Sequence, residues 1–292
     1  MSTYIHTPSA NPSAPTVILL PGVNCGAWFF EDSLAYLLPH FNVLRINNPG
    51  VDGAPLKEIY SVKDLARKTL DIMDELGLEE GYVIGHSMGG FHAQHLALLA
   101  PKRVKYLVLI STGYGQPHTA KDLLVLAKHA GKTWQKFNRD VMTDPETALK
   151  VVFGTNFVEN HYSAYQKFIQ LRTEHYPGKT ASALHLAMGG SFSSWGKLYQ
   201  VTTPTLVIHG EDDSLITLEH GEAMAKQLRH AFLWKQEGVG HFPTLEEPTT
   251  YTRIVDFLLG NPVGQPVKPA APHNLQESWT WMAEKVKGFF HG

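Results

Sequence analysis

A serine hydroxyl becomes an effective nucleophile only when a base takes its proton and a carboxylate orients and stabilises that base. One serine of this sequence has a setting suited to such chemistry. Gly85-His86-Ser87-Met88-Gly89 follows the run Tyr82-Val83-Ile84 and opens a stretch of helical spacing from Phe91 to Leu99. A sharp turn from strand to helix lifts a serine above the sheet edge, and the residues two before and two after it must be tiny so that strand and helix can approach. Gly85 and Gly89 meet that need. The start of the helix also aims backbone N–H groups, that of Met88 among them, at the place where an oxyanion would form. A base and its carboxylate come later in the chain. Glu211, Asp212 and Asp213 stand just past the run Thr205-Leu206-Val207-Ile208, and His241 lies in the turn Gly238-Val239-Gly240-His241 soon after the run ending at Trp234. The carboxyl ends of parallel strands are where open α/β sheets gather their functional loops.

Something must bring these residues to one edge. The runs Thr16–Leu20, Asn42–Ile46, Gly81–Ile84, Val104–Ile110, Thr205–Ile208 and Ala231–Trp234 are short and rich in β-branched residues, as strands buried on both faces are. Between them lie stretches of helical spacing, such as Asp64 to Leu76 and Phe91 to Leu99. Alternating strand and helix predicts an α/β fold with a doubly wound, mostly parallel sheet and right-handed crossovers. The alternation breaks after Ile110, leaving about 90 residues before the next strand where a crossover needs a few tens. A helical lid over residues 118–198 is therefore expected, inserted into a core made of residues 1–117 and 199–260. Residues 261–292 read as a linker with Pro262, Pro266, Pro269 and Pro272, then an amphipathic helix whose stripe includes Leu275, Trp279, Met282 and Val286. That stripe either docks on the same subunit or forms a homodimer contact.

The segments Gly85 to Gly89, Gly210 to Asp213 and Gly238 to His241, with Glu246 or Glu247 beyond, resemble the α/β-hydrolase superfamily from about Thr16 to Leu259. The resemblance implies Ser87 as nucleophile, His241 as general base and Asp213 as the partner of the histidine. In this family the acid usually stands three residues after the glycine, which selects Asp213 over Glu211 and Asp212. The family's other acid position, after the preceding strand, is closed because Ser111 to Pro117 carries no carboxylate. The loop Leu20-Pro21-Gly22-Val23 is similar to the family's His-Gly loop and implies the Val23 N–H as a second oxyanion donor beside Met88. Pro21 departs from that pattern, standing where relatives carry a histidine, and Asn47 to Gly53 departs from their arginine-and-glycine turn. The short N-terminus has room for one strand near Thr3 to His6, giving six or seven strands rather than eight.

The reading that follows is a serine hydrolase for a small, largely apolar ester, with no cofactor and no metal. Trp134, Phe153, Met188, Phe192 and Trp195 are candidates to line its substrate pocket. The same three residues can also serve cleavage of a carbon-carbon bond, lactone opening, thioester or peptide hydrolysis, or perhydrolysis. A binding or scaffold protein that keeps the fold is the alternative of a different class. A net charge of −2 over 292 residues gives no field for nucleic acid or an anionic membrane, so the partner expected is a small molecule. One cysteine, Cys25, excludes an internal disulfide and fits a cytoplasmic setting. With no basic neighbour in sequence, Cys25 reads as a small filler. Sixteen histidines are scattered, and His92 and His95 have no evident co-ligands for a metal.

Overall fold

The β-branched runs assemble into one seven-stranded sheet of order β1-β3-β2-β4-β5-β6-β7. The computed structural model describes residues 3–57, 59, 61–115, 140 and 143–269. The strands are β1 (Tyr4–Thr7), β2 (Thr16–Leu20), β3 (Asn42–Ile46), β4 (Gly81–His86), β5 (Val104–Ile110), β6 (Thr205–Gly210) and β7 (Ala231–Gln236). Among the described residues only β1 is antiparallel, pairing with β3 at the edge, and the other neighbouring strands run parallel. Among the described residues one strand, β1, precedes β2, and the seven strands lie within the six or seven expected.

Alternation along each strand divides the core into two layers. Ile18, Leu20, Val83, Leu107, Leu109 and Val207 face α2 (Val62–Glu75), α3 (Met88–Leu99) and α8 (Leu218–Gln227). Val17, Leu19, Ile84, Val108, Ile110, Leu206 and Ile208 face the short α1 (Leu34–Leu37) and α10 (Thr249–Leu258). Both sheet faces are thus covered, which is why the runs are mainly apolar instead of alternating regularly with polar residues. Helix α2 begins at a true cap, where Ser61 Oγ accepts the Asp64 N–H at 3.2 Å and donates to the Asp64 carboxylate at 2.7 Å.

Between β5 and β6 the described chain is helical: α4 (Pro145–Leu149), α5 (Phe157–Asn160), α6 (Tyr162–Glu174) and α7 (Lys179–Ser191). It returns beside its point of departure, because Gly115 bridges Ser193 and the Ser194 N–H donates to the Tyr114 carbonyl at 2.8 Å. Beyond α10 the extended tail does more than link. Phe232 bridges Pro266 and the Val267 N–H donates to the Ala231 carbonyl at 2.7 Å, laying the tail along β7. Prolines at 262, 266 and 269 lack the N–H groups a longer ladder would need. The amphipathic stripe from Leu275 lies outside the described residues. Among the described residues no helix is long and apolar enough to cross a membrane.

Candidate active site

Ser87 sits between β4 and α3 with φ 55° and ψ −120°, a conformation that costs a non-glycine residue about 1–3 kcal/mol and persists only when its surroundings enforce it. The enforcement is visible. Its N–H donates to the Ile110 carbonyl at 2.9 Å, and its carbonyl accepts from the Thr112 hydroxyl at 2.7 Å. A Cβ at Gly89 would overlap the Leu20 carbonyl, and one at Gly85 would overlap the Gly89 carbonyl. The turn therefore exists because two neighbouring backbones pass where side chains cannot.

The remaining two groups arrive from the loops after β6 and β7. The Ser87 hydroxyl donates to His241 Nε2 at 3.0 Å, and His241 Nδ1–H donates to Asp213 Oδ2 at 2.8 Å. The other oxygen of Asp213 accepts the N–H groups of Leu215 and Ile216 at 2.9 and 3.0 Å. Burial works against the Asp213 charge, but the attraction of His241, the hydrogen bond from it, and the proximity of His209 outweigh burial and hold the carboxyl below its ordinary range. Neighbouring acids do other things: the Asp212 carboxylate accepts from the Thr155 N–H and hydroxyl at 3.1 and 2.7 Å. A serine, an imidazole in a fixed tautomer and an ionised carboxylate form one continuous hydrogen-bonded chain, the arrangement that general-base activation of an alcohol requires.

The start of α3 and the loop after β2 adjoin the serine. Met88 is the first residue of α3, so its N–H has no acceptor within the helix. Val23 follows Gly22, where a Cβ would lie 3.2 Å from Ser87 Cβ. The loop that carries Val23 is held by residues the sequence did not single out for this task. Asn48 Nδ2 donates to the carbonyls of Pro21 and Gly22 at 3.2 and 2.7 Å. His185 of α7 accepts the Asn24 N–H at 3.2 Å and donates through Nε2 to the Pro49 carbonyl at 2.9 Å. Burial first, then the nearby Arg172 charge, pushes His185 down to about 4, so it stays neutral and able to accept. Asn48 lies within the segment that departs from the family's usual turn.

The candidate lining residues divide into groups. Met188 and Phe192 pack with Met88, and Val23 packs against that cluster. Phe153 belongs to a second aromatic cluster with Trp28, Phe168 and Phe242, the residue after His241. Trp195 stands apart from both, its ring 4.6 Å from that of Tyr114 against the main core. Trp134 lies outside the described residues. Cys25 is buried, and burial pushes its thiol up to about 11 despite Arg172 nearby, which suits a filler and not a thiolate. Among the described residues no three His, Cys, Asp or Glu side chains are grouped to hold a metal ion.

A carboxylate beyond the histidine is also engaged. Glu246 accepts three backbone N–H groups: Gly154 at 2.6 Å, Gly240 at 2.9 Å and Phe242 at 2.9 Å. Burial pushes Glu246 above its ordinary value, with repulsion from Asp213 adding to it and the three N–H groups opposing. His86 completes the surroundings of the loop, its Nε2–H donating to the His241 carbonyl at 2.8 Å.

A family model for the alpha/beta hydrolase fold matches residues 15–248. A Pseudomonas savastanoi protein provisionally named a carbamate hydrolase is 25% identical over 249 residues, covering 84% of this chain and 94% of its own. The 2-hydroxy-6-oxononadienedioate/2-hydroxy-6-oxononatrienedioate hydrolase 1 of Dechloromonas aromatica is 28% identical over 270 residues, covering 88% and 91%. In three dimensions the enol-lactonase of Burkholderia xenovorans superposes with a TM-score of 0.75 at 20% identity, covering 88% of this chain and 95% of that one.

Proposed function

Because the chain belongs to the α/β-hydrolase fold family, we propose that it is a serine hydrolase working through Ser87, His241 and Asp213, with a small, largely apolar ester as substrate. His241 takes the Ser87 proton as the hydroxyl attacks the carbonyl carbon, and the N–H groups of Val23 and Met88 stabilise the resulting oxyanion. Return of the proton to the leaving alcohol gives an acyl-enzyme. Water then repeats the sequence, with His241 again as base, and frees the acid. Asp213 stays ionised throughout and balances the imidazolium. The observation that carries this reading is the unbroken chain of hydrogen bonds at 3.0 and 2.8 Å from the strained serine through His241 to Asp213. The apolar cluster of Met88, Met188 and Phe192 beside Val23 supports a substrate with an apolar acyl or alkyl group. The segment between β5 and β6 serves as the lid that supplies this wall.

A second reading has one observation in its favour. The Dechloromonas aromatica relative is named for a substrate that carries a ketone and two carboxyl groups but no ester. On such a compound the same three residues would assist hydrolysis of a carbon-carbon bond. Purified protein is expected to react with a fluorophosphonate probe, and Ser87→Ala is expected to abolish the labelling; a native protein that stays unlabelled points instead to a binding module. Turnover of p-nitrophenyl esters of graded chain length, set beside lactones and 1,5-diketones, then separates the substrate classes. Diketone turnover with inert esters would overturn the ester assignment while leaving the nucleophile in place.

A further inference from the structure

We infer that Glu246 is a positioning residue, one that keeps the imidazole of His241 in reach of Ser87 by gripping the backbone on either side of it. The inference rests on the proposed role of His241. Glu246 makes none of its three hydrogen bonds to the imidazole itself. Its Oε2 accepts the Gly240 N–H at 2.9 Å and its Oε1 accepts the Phe242 N–H at 2.9 Å, so the residues before and after His241 hang from one carboxylate. The histidine's own N–H donates to the Val152 carbonyl at 2.7 Å, and its carbonyl accepts from His86 at 2.8 Å. With the main chain of residues 240–242 held in this way, side-chain torsions are what remain to aim the ring.

The same carboxylate reaches into the segment between β5 and β6, accepting the Gly154 N–H at 2.6 Å. That approach is possible because residues 154 and 240 are glycines. A Cβ at Gly154 would overlap the Gly238 carbonyl, and a Cβ at Gly240 would overlap the Val152 carbonyl. Two loops are thus pressed backbone to backbone, and Glu246, 92 residues from Gly154 in sequence, joins them. A carboxylate suits three converging donors because both its oxygens only accept. A carboxamide would turn an NH₂ group toward at least one N–H and lose that bond.

Glu246→Gln is the primary test. The expected result is a fall of about 10- to 100-fold both in the rate of fluorophosphonate labelling and in kcat per titratable serine, with KM changing less than about threefold, the size of loss that a displacement near 1 Å brings. Glu246→Asp keeps the charge and both acceptor oxygens on a shorter stem and is expected to recover part of kcat. Should the glutamine variant not fold, the aspartate variant carries the same comparison. Glu247→Gln is the control, because the Glu247 carboxylate accepts from the N–H and hydroxyl of Thr249 at 3.1 and 2.8 Å and from neither neighbour of His241, and it is expected to leave kcat unchanged. The inference is overturned if the Glu246 variants lose thermal stability while each titratable serine turns over at the native rate. Absence of labelling in the native protein would sink the serine-hydrolase reading instead, so the two failures are distinguishable.

Discussion

At the scale of single residues, Asp213 joins two tasks that an amide cannot. One oxygen takes the His241 Nδ1–H, and the other is pinned by two backbone N–H groups. Asp213→Asn preserves the shape but replaces an acceptor by a donor, which favours the imidazole tautomer with its proton facing the serine. Loss of about 10³–10⁴ in kcat is expected with little change in KM; a loss under about tenfold, measured on the best ester found, would remove Asp213 from the proposed mechanism. Ser87 and His241 were legible because each sits in a short local pattern of glycines after a strand, whereas Asp213 was singled out from three adjacent acids by the family resemblance. Glu246 was visible only as a carboxylate beyond the histidine, and Asn48 and His185 not at all as parts of a site. Asn48 holds carbonyls 26 and 27 residues away, and His185 holds an N–H 161 residues away. Their partners follow from three-dimensional packing, and no spacing along the chain encodes it.

At the scale of elements, the strand-turn-helix unit around Ser87 depends on close packing more than on helix propensity. Gly89 and Gly90 are poor helix formers at the first turn of α3, which is why the helical periodicity of the sequence begins only at Phe91 although α3 begins at Met88. The glycines are there for sheet contact: residue 89 lies against the Leu20 carbonyl and residue 90 against Thr112. Gly89→Ala is accordingly expected to destabilise the protein by at least about 3 kcal/mol, although alanine is the better helix former. Chemical denaturation measures this, and an unchanged or raised midpoint would contradict the packing account. The strands were legible for a complementary reason. Burial on both faces demands largely apolar runs, and the polar stretches between them mark where the sheet ends.

At the scale of the whole molecule, buried neutral histidines couple stability to pH. Burial pushes His86 and His92 down to about 3, and His185 to about 4, from the ordinary 6.5. In the unfolded chain each takes up a proton near 6.5, whereas in the folded protein each resists until far lower pH. The unfolded state therefore binds more protons across that window, so stability is full above about pH 6.5 and declines as pH falls toward 4, by at most about 1.4 kcal/mol per unit for each histidine. The urea midpoint should drop between about pH 7.5 and 5.5, and His92→Gln, which alters a histidine bonded to Thr69, should flatten the drop. Equal midpoints at the two pH values would refute it. The stretch from Val151 to Thr155 is bonded to the acid loop through Ser214 and Asp212, and to the histidine loop through His241 and Glu246. Though it belongs by sequence to the inserted helices, by contact it is part of the sheet edge. Anyone transplanting a foreign set of covering helices onto this protein to change its selectivity should begin the foreign segment after residue 155 and leave those five residues native, since a graft that replaced them would unmoor two of the three reacting groups.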